Sequence, residues 1–599
     1  MWLSVHWRLL PRFLAIYTLV TVCSARDSNG GTQAPFGYQG THPQGRVGAA
    51  ASRLESRTRW EFDLEPSPNA TGNYIFESVA SLLQQWPNTR YRNGHTIVPV
   101  TLPIGTLLHH GTHQPAVPSV PDWVAIDPEH SYLFCDAVSP SSGCWHLTLA
   151  ATRPLKLLYF DGSSGAKIQG ALDAQDLLAW GEVAKEPLES EGRRIKDLCE
   201  WGRKYELDGF LRQAVDFEIM LCDFTKGVDV VSFLNLKTIL PHDRLQSTAA
   251  TSRTDDMANN TYREPDTSKP YPPFFLALES GSWHRTFPGL TRAKLDLPRL
   301  VSFYDNAQFP SLLEWRLSLR GGEGAAGQGE RYDHRLRAMS EQDRKGLLGR
   351  LDEVLRVREG GQGESGVDWE SLVRSVVQRY ADRLEVLQYL LSDATAPRLK
   401  GKDDRALEVI RNTHKYISTI LAPYILNSAN PPSSLSSSSK PTDLSWATPV
   451  FENCASIHTK YTAHLRLTRS EALIRDSVDS VLHEICRVLV GVWAEGVELG
   501  LEGDNSGPLI TVHIKDGAKK VQTKWSRKIN GLMAWLDWNV WVKCRPACGF
   551  EDMCWLPTWP GWPWTKHNEI GANPDPQDDY WRRPQPQCIR RVFPLQYLP

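Results

Sequence analysis

From about residue 60 to residue 310, apolar residues fall in short blocks separated by Gly, Pro and Asp. Blocks of that kind, with turn residues at both ends, predict β-strands. HTIVPVTLPIGTLLHH, PDWVAI, CWHLTLAA, PLKLLYFDG, DFEIMLCDF and VDVVSFLNL are such blocks, and RAKLDLPRLVSFYD closes the region with another. A helix is expected at 191–204 (EGRRIKDLCEWGRK), and the Ser-, Thr-, Asp- and Asn-rich stretch 241–270 reads as an exposed loop. Strands follow one another more often than they alternate with helices, so a mixed or antiparallel sheet in an α+β fold is expected over 60–310.

From about 330 to 500 the period changes. DWESLVRSVVQRYADRLEVLQYLLS (368–392) repeats apolar residues every three or four positions, as a packed amphipathic helix does. Helices are likewise expected over LLGRLDEVLRV, with Ser340 as its cap, over 406–426, and over roughly 470–498. ANPPSSLSSSSKPTD (429–443) reads as a low-complexity linker inside this helical region. The final segment, 501–599, is different in kind. Nine of the 22 tryptophans lie between Trp525 and Trp581 beside four cysteines, and the prolines of CWLPTWPGWPW forbid a regular helix. A cap held together by disulfides is expected.

The chain begins with basic Arg8 and Arg12, an 11-residue apolar run from Phe13 to Cys23, and small residues at 23–25. That is the plan of a signal peptide over 1–25, too short for a membrane span of about 20 residues. It places the protein outside the cell, with the secretory lumen or a retained signal anchor as alternatives. Residues 26–59, rich in Gly, Pro, Ser and Thr, read as a disordered mature amino terminus. Without the signal segment, 65 basic residues face 69 acidic ones, and no membrane span follows. A net charge of −4 gives no reason to expect nucleic acid as a partner.

An oxidising compartment changes how the cysteines read. Ten remain after Cys23 is removed. Proximity suggests Cys135–Cys144, Cys199–Cys222 and Cys454–Cys486, leaving Cys544, Cys548, Cys554 and Cys588 to pair among themselves. The last four lack the paired C-x2-C knuckles of a zinc ribbon, so disulfides are favoured and no metal is expected. Asn69 and Asn259 head N-glycosylation sequons.

The stretch LLHHGTHQPAVPSVPDWVAIDPEHSYLFC (107–135) carries the most suggestive chemistry. A strand ending in His110-Gly111-Thr112, a second strand, and then Ser131-x-x-Phe134 resemble the donor half of the ADP-ribosyltransferase fold. The resemblance implies that NAD is the substrate. It places His110 by the adenosine ribose, Gly111 against the carboxamide, and Ser131 and Phe134 around the nicotinamide, with Thr112 completing the cofactor-binding motif. It makes Glu218 the catalytic carboxylate, for mono-ADP-ribosyl transfer or NAD glycohydrolysis. The second-strand tyrosine of that family is absent, and Trp123 or Val124 stands near its place.

A rival constellation is Asp216 and Glu218, which share one face of a strand and suit the paired-carboxylate chemistry of a secreted glycosidase. A third reading makes the tryptophan-rich tail a non-catalytic contact for carbohydrate or a protein surface. Against it, those rings can instead pack over the cystines. Gly162–Lys167 lacks P-loop spacing, and His483-Glu484 lacks the second zincin histidine. DPEHSYLFC, LLYFDG, the 208–223 segment and the tail also resemble a group of secreted proteins from filamentous fungi to which no activity is attached.

Overall fold

The computed structural model describes residues 60–135, 144–165, 170–184, 191–237, 272–319, 328–356, 364–392, 402–432, 443–502, 508–556 and 583–595. The signal segment, residues 26–59, the 241–270 stretch with Asn259, the centre of the linker, and Trp559, Trp562, Trp564 and Trp581 lie outside them. Asn69 is exposed.

Two short helices, α1 (Gly72–Ser81) and α2 (Gln85–Arg90), precede strands β1 (Thr96–Leu102), β2 (Leu107–Thr112) and β3 (Asp122–Ala125). Helix α3 (Pro128–Tyr132) leads to β4 (Cys144–Ala151) and β5 (Leu155–Phe160). Helices α4 (Asp173–Trp180) and α5 (Glu191–Gly202) come before β6 (Gly209–Gln213), β7 (Phe217–Leu221) and β8 (Val228–Leu236). Then follow α6 (Pro272–Gly281), the two-residue strands β9 (Lys294–Leu295) and β10 (Val301–Ser302), and α7 (Pro310–Ser318). The next stretch is helical: α8 (Glu341–Arg356), α9 (Trp369–Leu391), α10 (Lys402–Leu421), α11 (Thr448–Ser456), α12 (Arg469–Glu498) and α13 (Pro508–Leu536). A small ribbon of β11 (Asp552–Trp555) and β12 (Gln587–Arg590) ends the described chain.

The fold is α+β. One sheet runs β10-β1-β5-β6-β7-β3-β2-β4-β8, with β9 also on β1, and its pairings are antiparallel except β5 with β6. RAKLDLPRLVSFYD does not form one strand. Pro298 fixes its backbone and lacks an N–H, and a single 3-10 turn at Leu297–Arg299 divides β9 from β10.

Side chains alternate across the sheet, and each face has its own apolar layer. Leu108, Val124, Leu211 and Ile219 point to the face covered by α9, α10, α12 and α13, forming one continuous core with Trp369, Ile410, Ile485 and Trp525. Ile97, Leu158, Phe210 and Met220 point the other way, under α4, α5, α7 and α8. Residues 57–599 therefore cluster as one compact unit. The helix starts follow local chemistry: Ser340 Oγ accepts from Asp343 N–H at 3.1 Å, and Thr468 with Glu471 makes a capping box for α12.

Five disulfides join Cys135–Cys144, Cys199–Cys222, Cys454–Cys486, Cys544–Cys554 and Cys548–Cys588. The β11–β12 ribbon packs Met553, Trp555 and Ile589 onto Leu278 of α6 and onto Val215, just before β7. Trp538 stacks between Phe76 and Trp541. These tryptophans build the interior rather than a flat exposed platform. No helix among the described residues is long and apolar enough to cross a membrane.

Candidate functional site

The pairing of strands fixes which predicted residues can meet. Arg212, Glu218, Ala125 and His109 stand in one row across β6, β7, β3 and β2. Residues paired in this way share a face, so Glu218 faces the α4–α5 side together with His109. His110 is the next residue along β2 and faces the opposite side, where it packs edge-on against Phe224 and its Nδ1 lies 2.6 Å from the Trp123 carbonyl. The expected grouping of His110, Ser131 and Glu218 around one cleft is thus corrected: a whole sheet separates His110 from Glu218.

The other members of that set are engaged locally. Ser131 Oγ donates to the Pro128 carbonyl and accepts from His146 Nε2, both at 2.8 Å. The Ser131 carbonyl lies over Gly111, where an added Cβ would come within 2.1 Å of it. Glycine is needed there because α3 rests directly on β2. Thr112 Oγ1 accepts from Gln114 N–H at the end of β2, and Phe134 is 52% exposed near the His130 ring. Gly111→Ala must push α3 off the sheet, and we expect a loss of about 1–3 kcal/mol, typical of overpacking, in chemical denaturation.

Glu218 belongs to a buried ion network. Arg212 Nε donates to its Oε1 at 2.7 Å, while Arg212 Nη2 reaches Glu191 at 3.0 Å and Nη1 reaches Gln175 at 3.2 Å. Arg194 then joins Glu191 to Asp176. His130 Nε2 stands 3.9 Å from the second Glu218 oxygen, and burial lowers the His130 pKa. Both arginines are fully buried. Two cations shared among three carboxylates hold α4, α5, β6 and β7 together, and Glu218 is committed to that task.

Asp216, two residues earlier in the bend that leads into β7, is different. It is 0% exposed, and neither of its oxygens receives a hydrogen bond from a conventional donor among the described residues. Its neighbour is Asp127, which follows β3 and caps the approach to α3. Asp127 Oδ2 accepts from Arg292 Nη2 at 2.8 Å and from His284 Nε2 at 3.0 Å. Polar atoms of Asp127, Asp216 and His284 all lie within 4.8 Å of one another. Arg292 also holds the Ile126 carbonyl at 2.9 Å, which fixes its guanidinium in place.

The two carboxyl groups are driven apart electrostatically. Burial pushes the Asp216 pKa far up, and the adjacent negative charge of Asp127 adds to it. Asp127 is also penalised by burial, but hydrogen bonds from His284 and Arg292 outweigh that and hold its pKa well below the usual carboxylate range. His284 is raised: burial opposes its charge, yet the hydrogen bond to Asp127 and the negative charge of Asp127 favour it. The two shifts run in opposite directions, favouring the protonated form of Asp216 and the ionised form of Asp127. The same three residues are spaced to suit a cation. However, Arg292 Nη2 lies 2.8 Å from Asp127 and 3.1 Å from His284 Nε2, a fixed positive charge where the ion would sit. The centre suits a proton better than a metal.

Asp216 was singled out in the sequence beside Glu218, although the strand that carries Glu218 begins one residue after it. Asp127, His284 and Arg292 were not, since His284 lies 157 residues from Asp127 and only packing joins them.

With this geometry in view, comparison with known proteins adds a family signal. Residues 61–143 and 137–256 match the model of the YPL277C N-terminal domain. That match spans β1 to β8 and includes Asp127, Asp216 and Glu218, leaving His284 and Arg292 beyond it. Two Saccharomyces cerevisiae proteins are similar. "Uncharacterized protein YOR389W" is 26% identical over 53% of this chain and 58% of its own length. "Uncharacterized protein YPL277C" is 26% identical over 53% of this chain and 75% of its own. The chain thus spans little more than half of the first relative. No solved structure matches.

Proposed function

We propose that this protein is a secreted glycoside hydrolase of the retaining kind, with Asp127 and Asp216 as its carboxyl pair. The observation that carries the reading is a close carboxyl pair in unequal surroundings, Asp216 buried with no donor and Asp127 held by Arg292 and His284. Retaining glycosidases place their two carboxyl groups about 5–5.5 Å apart, inverting ones about 6.5–9.5 Å. Polar atoms of Asp127 and Asp216 lie within 4.8 Å of each other, too close to leave the room for a water that an inverting pair needs.

Asp216 supplies the proton to the glycosidic oxygen as the C1–O bond breaks and its electron pair leaves with that oxygen. Asp127, ionised beneath Arg292 and His284, attacks C1 and forms the glycosyl ester. Water then adds to C1, the ester bond breaks, and the proton of that water returns to Asp216. Side chains of Asp127 and Arg292 are 19% and 35% exposed, so substrate meets them first, and Asp216, 0% exposed behind them, has to be uncovered on binding for the proton transfer. The disulfides and the amino-terminal leader support an extracellular setting for such a substrate.

The ADP-ribosyltransferase reading requires His110 on the same face as Glu218, and the strand register argues against it. A sugar-stacking tail is not favoured either, since Trp555 is only 5% exposed.

The test is a panel of aryl α- and β-glycosides, including glucuronides, with purified full-length protein at pH 5. Nuclear magnetic resonance should then show the first-formed anomer retaining the substrate's configuration. Failure on every glycoside, or clean inversion, would remove the proposal.

A further inference from the structure

The four cysteines of the carboxyl-terminal cap lie closer together than their two bonds require. Cys544 is joined to Cys554 and Cys548 to Cys588. Yet the Cys548 sulfur lies within 4.8 Å of both sulfurs of the Cys544–Cys554 bond. Strand register adds a second approach. Cys554 in β11 stands directly opposite Cys588 in β12, although each is bonded to a different partner. Opposed residues of antiparallel strands have Cα atoms about 4.5–5.5 Å apart, inside the range that a disulfide spans. The other pairing, Cys544–Cys548 with Cys554–Cys588, is within reach of the same backbone.

The surroundings favour exchange at this place. Cys588 is exposed and Cys544, Cys548 and Cys554 are half-buried, whereas each of the other three disulfides has a buried cysteine. The Cys544 N–H donates to the Cys554 sulfur at 3.2 Å. That hydrogen bond strengthens when the sulfur becomes a thiolate, so Cys554 is the better leaving group of its pair.

We propose that the cap is a thiol–disulfide exchange site, at which a low-molecular-weight thiol of the glutathione class interconverts the two pairings. The thiolate attacks Cys588, forms a mixed disulfide there and releases Cys548 as a thiolate. Cys548 attacks the neighbouring Cys544 sulfur, the Cys544–Cys548 bond forms, and Cys554 leaves as a thiolate. Cys554 then attacks Cys588 across the ribbon and expels the small thiolate unchanged. Three sulfur–sulfur bonds form and three break, with no net oxidation.

The pairing decides how the ribbon is anchored. Lys543 and Arg545 bind Glu385 of α9, which holds the start of the 543–548 segment against the helices. Both present disulfides run from that segment to the ribbon, whereas in the other pairing each part is bridged only to itself. The ribbon packs on Val215, next to Asp216, so exchange acts on a neighbour of the carboxyl pair. None of this requires glycoside hydrolysis.

Full-length protein is incubated with a mixture of reduced and oxidised glutathione, its free thiols are blocked with N-ethylmaleimide, and the chain is cleaved after Lys543 and Glu551. In the present pairing, peptide 544–551 stays linked to the peptides that carry Cys554 and Cys588. In the other pairing it is released with an internal bridge, and the Cys554 and Cys588 peptides are joined to each other. Mass spectrometry should show the released peptide at least ten-fold above its level in protein kept free of thiol. The other three disulfides should remain linked. A linked triplet that persists as the sole form overturns the proposal. So does a cap that is merely reduced, or that carries glutathione on Cys588 with no new bond between cysteines. No residue is substituted, so a poorly folding variant cannot produce either result.

Discussion

Asp216→Asn should abolish most glycoside turnover while leaving the fold intact. Asparagine keeps the size of a protonated carboxyl and can still donate to Asp127, so the buried site loses a transferable proton and little else. General acid catalysis contributes about 10²–10⁴-fold, and kcat should fall by that order. Substrates with good leaving groups should suffer least, because they need least protonation. Asp127→Asn removes the attacking carboxylate and should lose activity on good and poor leaving groups alike. If Asp216→Asn turns over a poor-leaving-group substrate at the wild-type rate, Asp216 is not the acid.

The same substitution should flatten the dependence of stability on pH. The Asp216 pKa is raised from an ordinary 3.8 to about 8, so its protonated form is the one the fold stabilises. That contribution is complete below about pH 4 and is lost as pH rises toward 8, by at most about 1.4 kcal/mol per pH unit for one proton. His284, also raised, acts in the same direction above neutrality. Asp127, being depressed, acts in the opposite sense, and its contribution is lost only in strong acid. Urea denaturation from pH 4.5 to 8 should therefore show the wild type weakening with pH and Asp216→Asn weakening less. Parallel curves would show that Asp216 is ionised in the folded protein throughout.

The second large effect is structural. Arg212→Leu removes the cation shared by Glu218 and Glu191 and leaves both carboxylates in a site where Arg212 was 1% exposed. Stranding one partner of a buried pair costs about 3–5 kcal/mol, and here two carboxylates are affected, although Arg194 still holds Glu191. Adding Glu218→Leu should restore a good part of that loss by removing one stranded charge. A double-mutant cycle with no coupling between these positions would show that the network does not hold the layers together.

Local sequence was a good guide wherever one element answers to its own neighbours. The three- and four-residue repeat placed α9, observed at Trp369–Leu391, because a helix that buries one side must show that period. Apolar blocks between turn residues placed β2, β4 and β5 for the matching reason in strands. RAKLDLPRLVSFYD misled because its apolar content resembles a strand while Pro298 breaks the ladder. In the candidate site, strand alternation singled out Asp216 beside Glu218, although β7 begins one residue after Asp216.

Everything that separates those two residues came from packing. Glu218 and Asp216 are both carboxyls two residues apart, yet Arg212, from the adjacent strand, bonds one, while neither oxygen of the other has a hydrogen-bond donor among the described residues. His110 and His109 differ by a single position, and only the β2–β3–β7 register decides which of them faces Glu218. His284 and Arg292 arrive from beyond β8, brought to Asp127 by the fold of α6 and the turn after it. Strand alternation and helical period act over a few residues, so the sequence alone determined the α+β elements and which side chains share a face. Register, burial and long-range partners are set by the whole core. They alone decided that burial raises the Asp216 pKa while Arg292 and His284 hold that of Asp127 down.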